Sequence, residues 1–259
     1  MTGRLVLVTG ASSGIGAATA KRYGAAGAHV LLLARNAGRL EKVAEEIRRS
    51  GGAASLYPAD LAEAEAVTEL AARITAEAGT PDVIVNNAGA GRWLSILATT
   101  PAEARAMIEV PYLAAFYVSR AFLPAMATRR SGRIACITSP AAYLAWPDAC
   151  AYIAARHAMK GFAEAMRADL RGTGISVTLV VLGMVETPYW EHNPGSLEHL
   201  PPTDPRLIKP LTVEEAAQAI MDGTEARRRT VIKPGIFRAL FVANALFPRF
   251  MARQLSRKP

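Results

Sequence analysis

The chain has little cysteine, a shortage of acidic groups and no long uninterrupted apolar run, and each shortage excludes something. Its 259 residues hold two cysteines, Cys136 and Cys150, too few for the disulfide framework of a small secreted scaffold. Cys136 lies inside an apolar stretch, where a buried thiol is expected, so the chain reads as built for a reducing compartment, the cytoplasm. No leader of charged then apolar residues precedes the first strand-like run, and no apolar run reaches the roughly 18 residues of a membrane span. No metal site is expected. Acidic residues number 22 against 30 Lys and Arg, a net charge of +8. Met221–Pro259 alone carries nine basic residues against Asp222 and Glu225, a net +7. The basicity therefore belongs to the tail rather than to a groove across the fold, and no nucleic-acid partner is expected.

What is present is a large apolar fraction, 51% of residues, in a regular alternation. Strand-like runs at Leu5–Val8, His29–Leu33, Ala53–Tyr57, Val83–Val85, Arg133–Thr138, Ile175–Leu182 and Thr230–Ile232 are separated by helical patterns. Seven such strands predict an α/β fold with a parallel sheet covered on both faces, one domain over residues 1–259. Thr100-Pro101-Ala102-Glu103 and Thr212-Val213-Glu214-Glu215 have the capping-box spacing of helix starts. Residues 187–211 hold prolines at 188, 194, 201, 202, 205 and 210, a long insertion that reads as a substrate loop.

Thr9–Gly16 reads TGASSGIG directly after the first strand and opens a helical pattern at Ala17–Ala26. Gly10 permits a tight turn, Gly14 lets the backbone approach a pyrophosphate, and Gly16 lets helix and strand pack closely. Free N–H groups at a helix start then meet the anion. After the second strand stands Arg35 where an NAD-binding protein has an acid, which favours a 2′-phosphate and hence NADP(H). Asp60-Leu61 and Asn86-Asn87-Ala88-Gly89 follow the third and fourth strands, at the carboxyl rim where such sheets bind ligands. Ser139 ends the fifth strand; Tyr152 and Arg156, four apart, project from one face of the next helix.

Together, these residues, with Ser139 thirteen positions before Tyr152, resemble the short-chain dehydrogenase/reductase family over residues 3–235. The resemblance implies a doubly wound Rossmann-type sheet of order 3-2-1-4-5-6-7 and a homodimer or homotetramer built on the long helices after strands four and five. It implies that Tyr152 exchanges a proton with a carbonyl or alcohol, that Ser139 helps hold the oxygen, and that the residue at 156 supplies a cation. It also implies cofactor contacts from Gly10, Ser12, Ser13, Gly14, Ile15, Gly16, Arg35, Asp60, Leu61, Asn87, Ala88, Gly89, Tyr152, Arg156, Gly183, Val185 and Thr187.

The chain departs from the family in two linked places. The family's YxxxK is Tyr152-Ile153-Ala154-Ala155-Arg156, and the Asn implied to hold a relay water is Pro111. Arg156 keeps the charge beside the phenol, but a guanidinium does not deprotonate and cannot pass protons on. Pro111 has no amide and kinks a helix. Lys160 sits at the wrong offset to stand in, and His157 is expected on the opposite side of its helix. A smaller departure is Leu182, where the family commonly has Pro before Gly183; Thr187 remains in place.

Trp93, Leu94, Tyr143, Leu144, Trp146, Tyr189 and Trp190 are expected to ring a greasy cleft suited to an apolar, polycyclic or lipid-like substrate. The tail, residues 236–259, interleaves Phe and Leu with Arg238, Arg249, Arg253, Arg257 and Lys258. That pattern fits either a terminal helix packed over the cleft or on a neighbouring subunit, or peripheral contact with an anionic membrane. Three functions remain open: an NADP(H)-dependent carbonyl/alcohol oxidoreductase, an NADP(H)-binding scaffold without turnover, and a non-redox enzyme of elimination, isomerisation or cyclisation.

Overall fold

A computed structural model describes residues 1–256 apart from Ala90, Trp190, His192 and residues 201–207. Seven strands form its sheet: β1 (Leu5–Thr9), β2 (His29–Ala34), β3 (Ala53–Pro58), β4 (Val83–Asn86), β5 (Gly132–Thr138), β6 (Ile175–Leu182) and β7 (Thr230–Lys233). All pair in parallel in the order β3-β2-β1-β4-β5-β6-β7. Each therefore starts and ends within one residue of the run expected from sequence.

Alternation along the strands sends neighbouring side chains to opposite faces. Leu5 and Leu7 enter one core with Leu31, Leu33 and Ile84, while Val6 and Val8 enter the other with Val30, Leu32 and Val85. The helices α1 (Gly14–Ala25), α2 (Ala37–Arg49) and α7 (Val213–Glu225) cover the second core. The first is covered by α3 (Ala64–Glu77), α5 (Ala114–Thr128) and α6 (Cys150–Asp169). Each fully buried aliphatic side chain contributes about 1.5–3 kcal/mol, and both faces must be covered because every central strand is apolar on both sides. The expected capping boxes form: Thr100 Oγ1 accepts from the Glu103 N–H at 3.2 Å, and Thr212 Oγ1 from the Glu215 N–H at 3.1 Å.

Pro111 has the expected effect. Between α4 (Pro101–Ile108) and α5 the helix opens into a wide π-type turn at Glu109–Leu113, and Val110 leaves helical dihedrals at φ −128°, ψ 90°. Pro101–Thr128 holds no uninterrupted apolar run of 18 residues, yet as a helix it is long and apolar enough by length and composition to cross a membrane. It lies against the sheet, burying Ala114, Ala115, Val118, Phe122 and Met126 in the core. The tail forms two short helices, α8 (Phe237–Leu246) and α9 (Pro248–Leu255).

Candidate active site

The chain order reverses at β1, which has β2 on one side and β4 on the other, and this switch point opens a crevice at the carboxyl ends of the strands. Thr9 fastens it. Its buried hydroxyl accepts from the N–H groups of Asn87 (3.0 Å) and Ala88 (2.9 Å) and donates to Val85 O (3.3 Å). Asn87 Nδ2 donates back to Thr9 O at 3.1 Å. The glycines then have no room for side chains. Gly10 has φ +64°, and a Cβ there would lie 2.9 Å from Ala88 Cα; a Cβ on Gly16 would lie 2.2 Å from Gly10 O. Ser13 caps α1 without a side-chain bond, so the first-turn N–H groups are available to an anion. This cradle fits the pyrophosphate of a dinucleotide.

A cavity of about 1550 Å³ runs from this cradle. Gly10, Ser12, Ser13, Gly14, Ile15, Arg35, Asp60, Leu61, Asn87, Ala88, Gly89, Ser139, Tyr152, Arg156, Gly183, Val185 and Thr187 all line it. Gly16 does not. It sits behind the turn, where its missing side chain lets Gly10 O approach. Asn36 and Arg39 also line the cavity and were missed; Arg39 stands in the first turn of α2, just after Arg35 and its N-cap Asn36, and adds a second cation at the same end.

At the other end Ser139 leaves β5 and accepts from the Ala141 N–H at 3.2 Å. Tyr152, on the first turn of α6, is 8% exposed, and its ring packs 5.5 Å from Trp93. The Arg156 guanidinium carbon lies 4.5 Å from the Tyr152 ring centroid, and its Nη1 is 3.3 Å from where a Gly89 Cβ would stand. Burial pulls the Arg156 guanidinium down, but the charges and hydrogen bonds of Tyr152 and Tyr189 outweigh it and leave it above its ordinary value. Tyr189 is raised by burial and then by Tyr152, with Arg156 opposing. Lys160 is elsewhere, 5.0 Å over the Tyr143 ring and 3.4 Å from Glu164 Oε2. His157 is exposed, with Nδ1 3.0 Å from Ile153 O.

The loop beyond β6 folds over this end. Its two ends are held together by a parallel bridge between Val185 and Leu211, with Glu186 N–H donating to Leu211 O at 2.9 Å. Tyr189 OH donates to Gly91 O at 2.6 Å, Gly91 N–H to Asn193 Oδ1 at 3.3 Å, and Trp93 N–H to Ser196 Oγ at 3.1 Å. Asn193 and Ser196 are buried. His199 meets Asp148 at 3.5 Å. Trp93, Leu144, Trp146 and Tyr189 line the cavity as expected, joined by Phe237, Leu240 and Leu255 of the tail. Leu94 and Tyr143 do not line it; Tyr143 stacks outward on Phe241 at 4.2 Å. Trp190 lies outside the described residues.

The sequence profile of the family described as short chain dehydrogenase matches residues 4–195. The chain belongs to that family. This short-chain dehydrogenase is 34% identical to an uncharacterized oxidoreductase of Mycobacterium tuberculosis, over 98% of this chain and 73% of the relative. It is 35% identical to a fatty acyl-CoA reductase of Acinetobacter baylyi over 72% of this chain and 64% of that one. Among solved structures it resembles a metagenomic short-chain oxidoreductase in complex with NADP at 32% identity and TM-score 0.75, covering 90% of this chain and 97% of the other. This short-chain dehydrogenase is thus an oxidoreductase in fold and family.

Proposed function

We propose that the chain is an NADP(H)-dependent oxidoreductase that interconverts a carbonyl and an alcohol on an apolar, lipid-like substrate. The observation that carries this reading is that Ser139, Tyr152 and Arg156 share one cavity with the glycine cradle and with a wall of Trp93, Leu144, Trp146 and Tyr189. The glycine turn would hold the pyrophosphate of NADP(H), and Arg35 with Arg39 its 2′-phosphate; when bound, that cofactor would supply hydride chemistry. Ser139 donates a hydrogen bond to the substrate oxygen while the Tyr152 phenol gives or takes its proton. The Arg156 cation packs against the Tyr152 ring and holds the phenol in place, and Tyr189 positions that cation. The guanidinium keeps its own proton, so proton exchange does not run through residue 156 as it would through Lys. Similarity to a fatty acyl-CoA reductase supports a long apolar substrate.

In this reading residues 1–259 form one cofactor-binding domain with a substrate loop at 187–211. Unbridged Cys136 and Cys150 suit the cytoplasm, and a basic tail rather than a basic groove argues against nucleic acid. The aromatic face that α6 shares with α5 and the turn before it, where Phe162 packs 5.7 Å from Tyr112 and 5.8 Å from Phe116, supports a homo-oligomer. Pro111 favours one rival, a scaffold that binds NADP(H) without turnover. NADPH oxidation with a panel of long-chain aldehydes and ketones tests the proposal: turnover is expected, with preference over NADH, and Tyr152→Phe lowers it about 10²–10⁴-fold. Tight NADPH binding without turnover across the panel would favour the scaffold.

A further inference from the structure

The strongest feature that the reaction leaves unused is the corner between α8 and α9. Phe247 ends one helix and begins the next at φ −129°, ψ 58°, and Pro248 opens α9, so the chain turns within one residue. The inner side of the pair is anchored. Phe237 and Met251 are buried, Phe241 stacks on Tyr143, and Asn244 Nδ2 donates to Tyr143 O at 3.1 Å. The outer side is bare: Val242, Leu246, Phe247 and Phe250 are 59%, 67%, 63% and 60% exposed. Exposed apolar clusters of this kind mark contact surfaces rather than ordinary surface scatter.

Charge decides the partner. Arg249 and Arg253 stand one helical turn apart beside Phe250, both exposed, and no acidic residue follows Glu225 in the whole sequence. A second copy docked tip to tip would set Arg against Arg. An anionic lipid surface would take the aromatic side chains into its headgroup boundary and pair with the guanidinium groups. α8 has ten residues, too short to span a bilayer and suited to lying in its interface. The same two helices wall the cavity through Phe237, Leu240 and Leu255, so the tip and the substrate end of the cleft share one side of the molecule.

We propose that the α8–α9 corner, through Leu246, Phe247 and Phe250 with Arg249 and Arg253, docks the protein peripherally on an anionic membrane surface. Docking does not depend on the reaction proposed above. The test is co-sedimentation of the full chain with vesicles of phosphatidylcholine, alone or mixed with phosphatidylglycerol, at low and high salt. Binding is expected to need phosphatidylglycerol and to weaken with salt. Phe247→Glu/Phe250→Glu should lower partitioning by about tenfold or more. Arg249→Gln/Arg253→Gln should lower it by about fivefold per charge removed. NADPH binding and thermal melting report whether each variant folds; should the Phe pair misfold, the Arg pair decides. No binding to anionic vesicles, or binding unchanged in the folded variants, would overturn the proposal. So would a Phe pair variant whose only effect is a smaller oligomer in sedimentation, which would make the corner a contact between copies.

Discussion

The Arg156 guanidinium carbon lies 4.5 Å from the centroid of the Tyr152 ring, so the cation rests against the face of the phenol. A flat, delocalised cation suits that position better than a point charge on a flexible stem. In the proposed reaction Arg156 is therefore a fitted part of the site. Arg156→Lys is expected to lower kcat by about tenfold, the size of a cation–π contact of ~1–2 kcal/mol. Steady-state kinetics with NADPH and substrate varied separately check this, and a gain in kcat would show that Arg156 merely degrades a lysine site.

Tyr189 ties the loop to the same cluster through its 2.6 Å bond to Gly91 O and its pairing with Arg156. Tyr189→Phe is expected to cost about 0.5–1.5 kcal/mol of stability at neutral pH, and to reduce kcat because Arg156 loses a partner. The pH dependence has a definite sign. Burial raises the folded-state value of Tyr189 above that of an unfolded tyrosine, so above about pH 10 the unfolded chain releases a proton that the folded one keeps, and stability falls as pH rises. Urea melts at neutral and alkaline pH should show a shallower alkaline loss in the Phe variant.

Gly16 tests the cradle without touching the cavity. A Cβ would stand 2.2 Å from Gly10 O, a backbone atom fixed by the turn. Gly16→Ala is expected to destabilise the fold by about 1–3 kcal/mol and to weaken NADPH binding through displacement of Gly10. Isothermal calorimetry beside a thermal melt separates the two effects.

The two cysteines should differ sharply toward a thiol reagent. Cys136 is fully buried on β5, and burial pushes its thiol up to about 12; Cys150, at the start of α6, is exposed. One thiol per chain is expected to react in the native protein, and a second only in denaturant. Peptide mapping should place the fast label on Cys150.

The sheet was legible because each strand is a short apolar run bounded by a helix pattern, a signal carried within a few residues. Ser139, Tyr152 and Arg156 were legible for a similar reason, since strand end and helix face fix where they point. Tyr143 was not. Its outward turn depends on Phe241, far along the chain, and no local pattern distinguishes it from Leu144, which does face the cavity. No local pattern marks Asn193 and Ser196, which are buried where they bond to Gly91 and Trp93. The amphipathic tail was visible, but its division into an inner wall and a bare corner required the turn at Phe247.

The Val185–Leu211 bridge brings the two ends of the substrate loop side by side on the frame of β6. A segment whose ends are already joined adds little closure entropy when its length changes. The chain beyond Ser196 can therefore vary in length at little cost to the sheet, provided Thr187, Tyr189, Asn193 and Ser196 keep their places against the cavity and against Gly91 and Trp93.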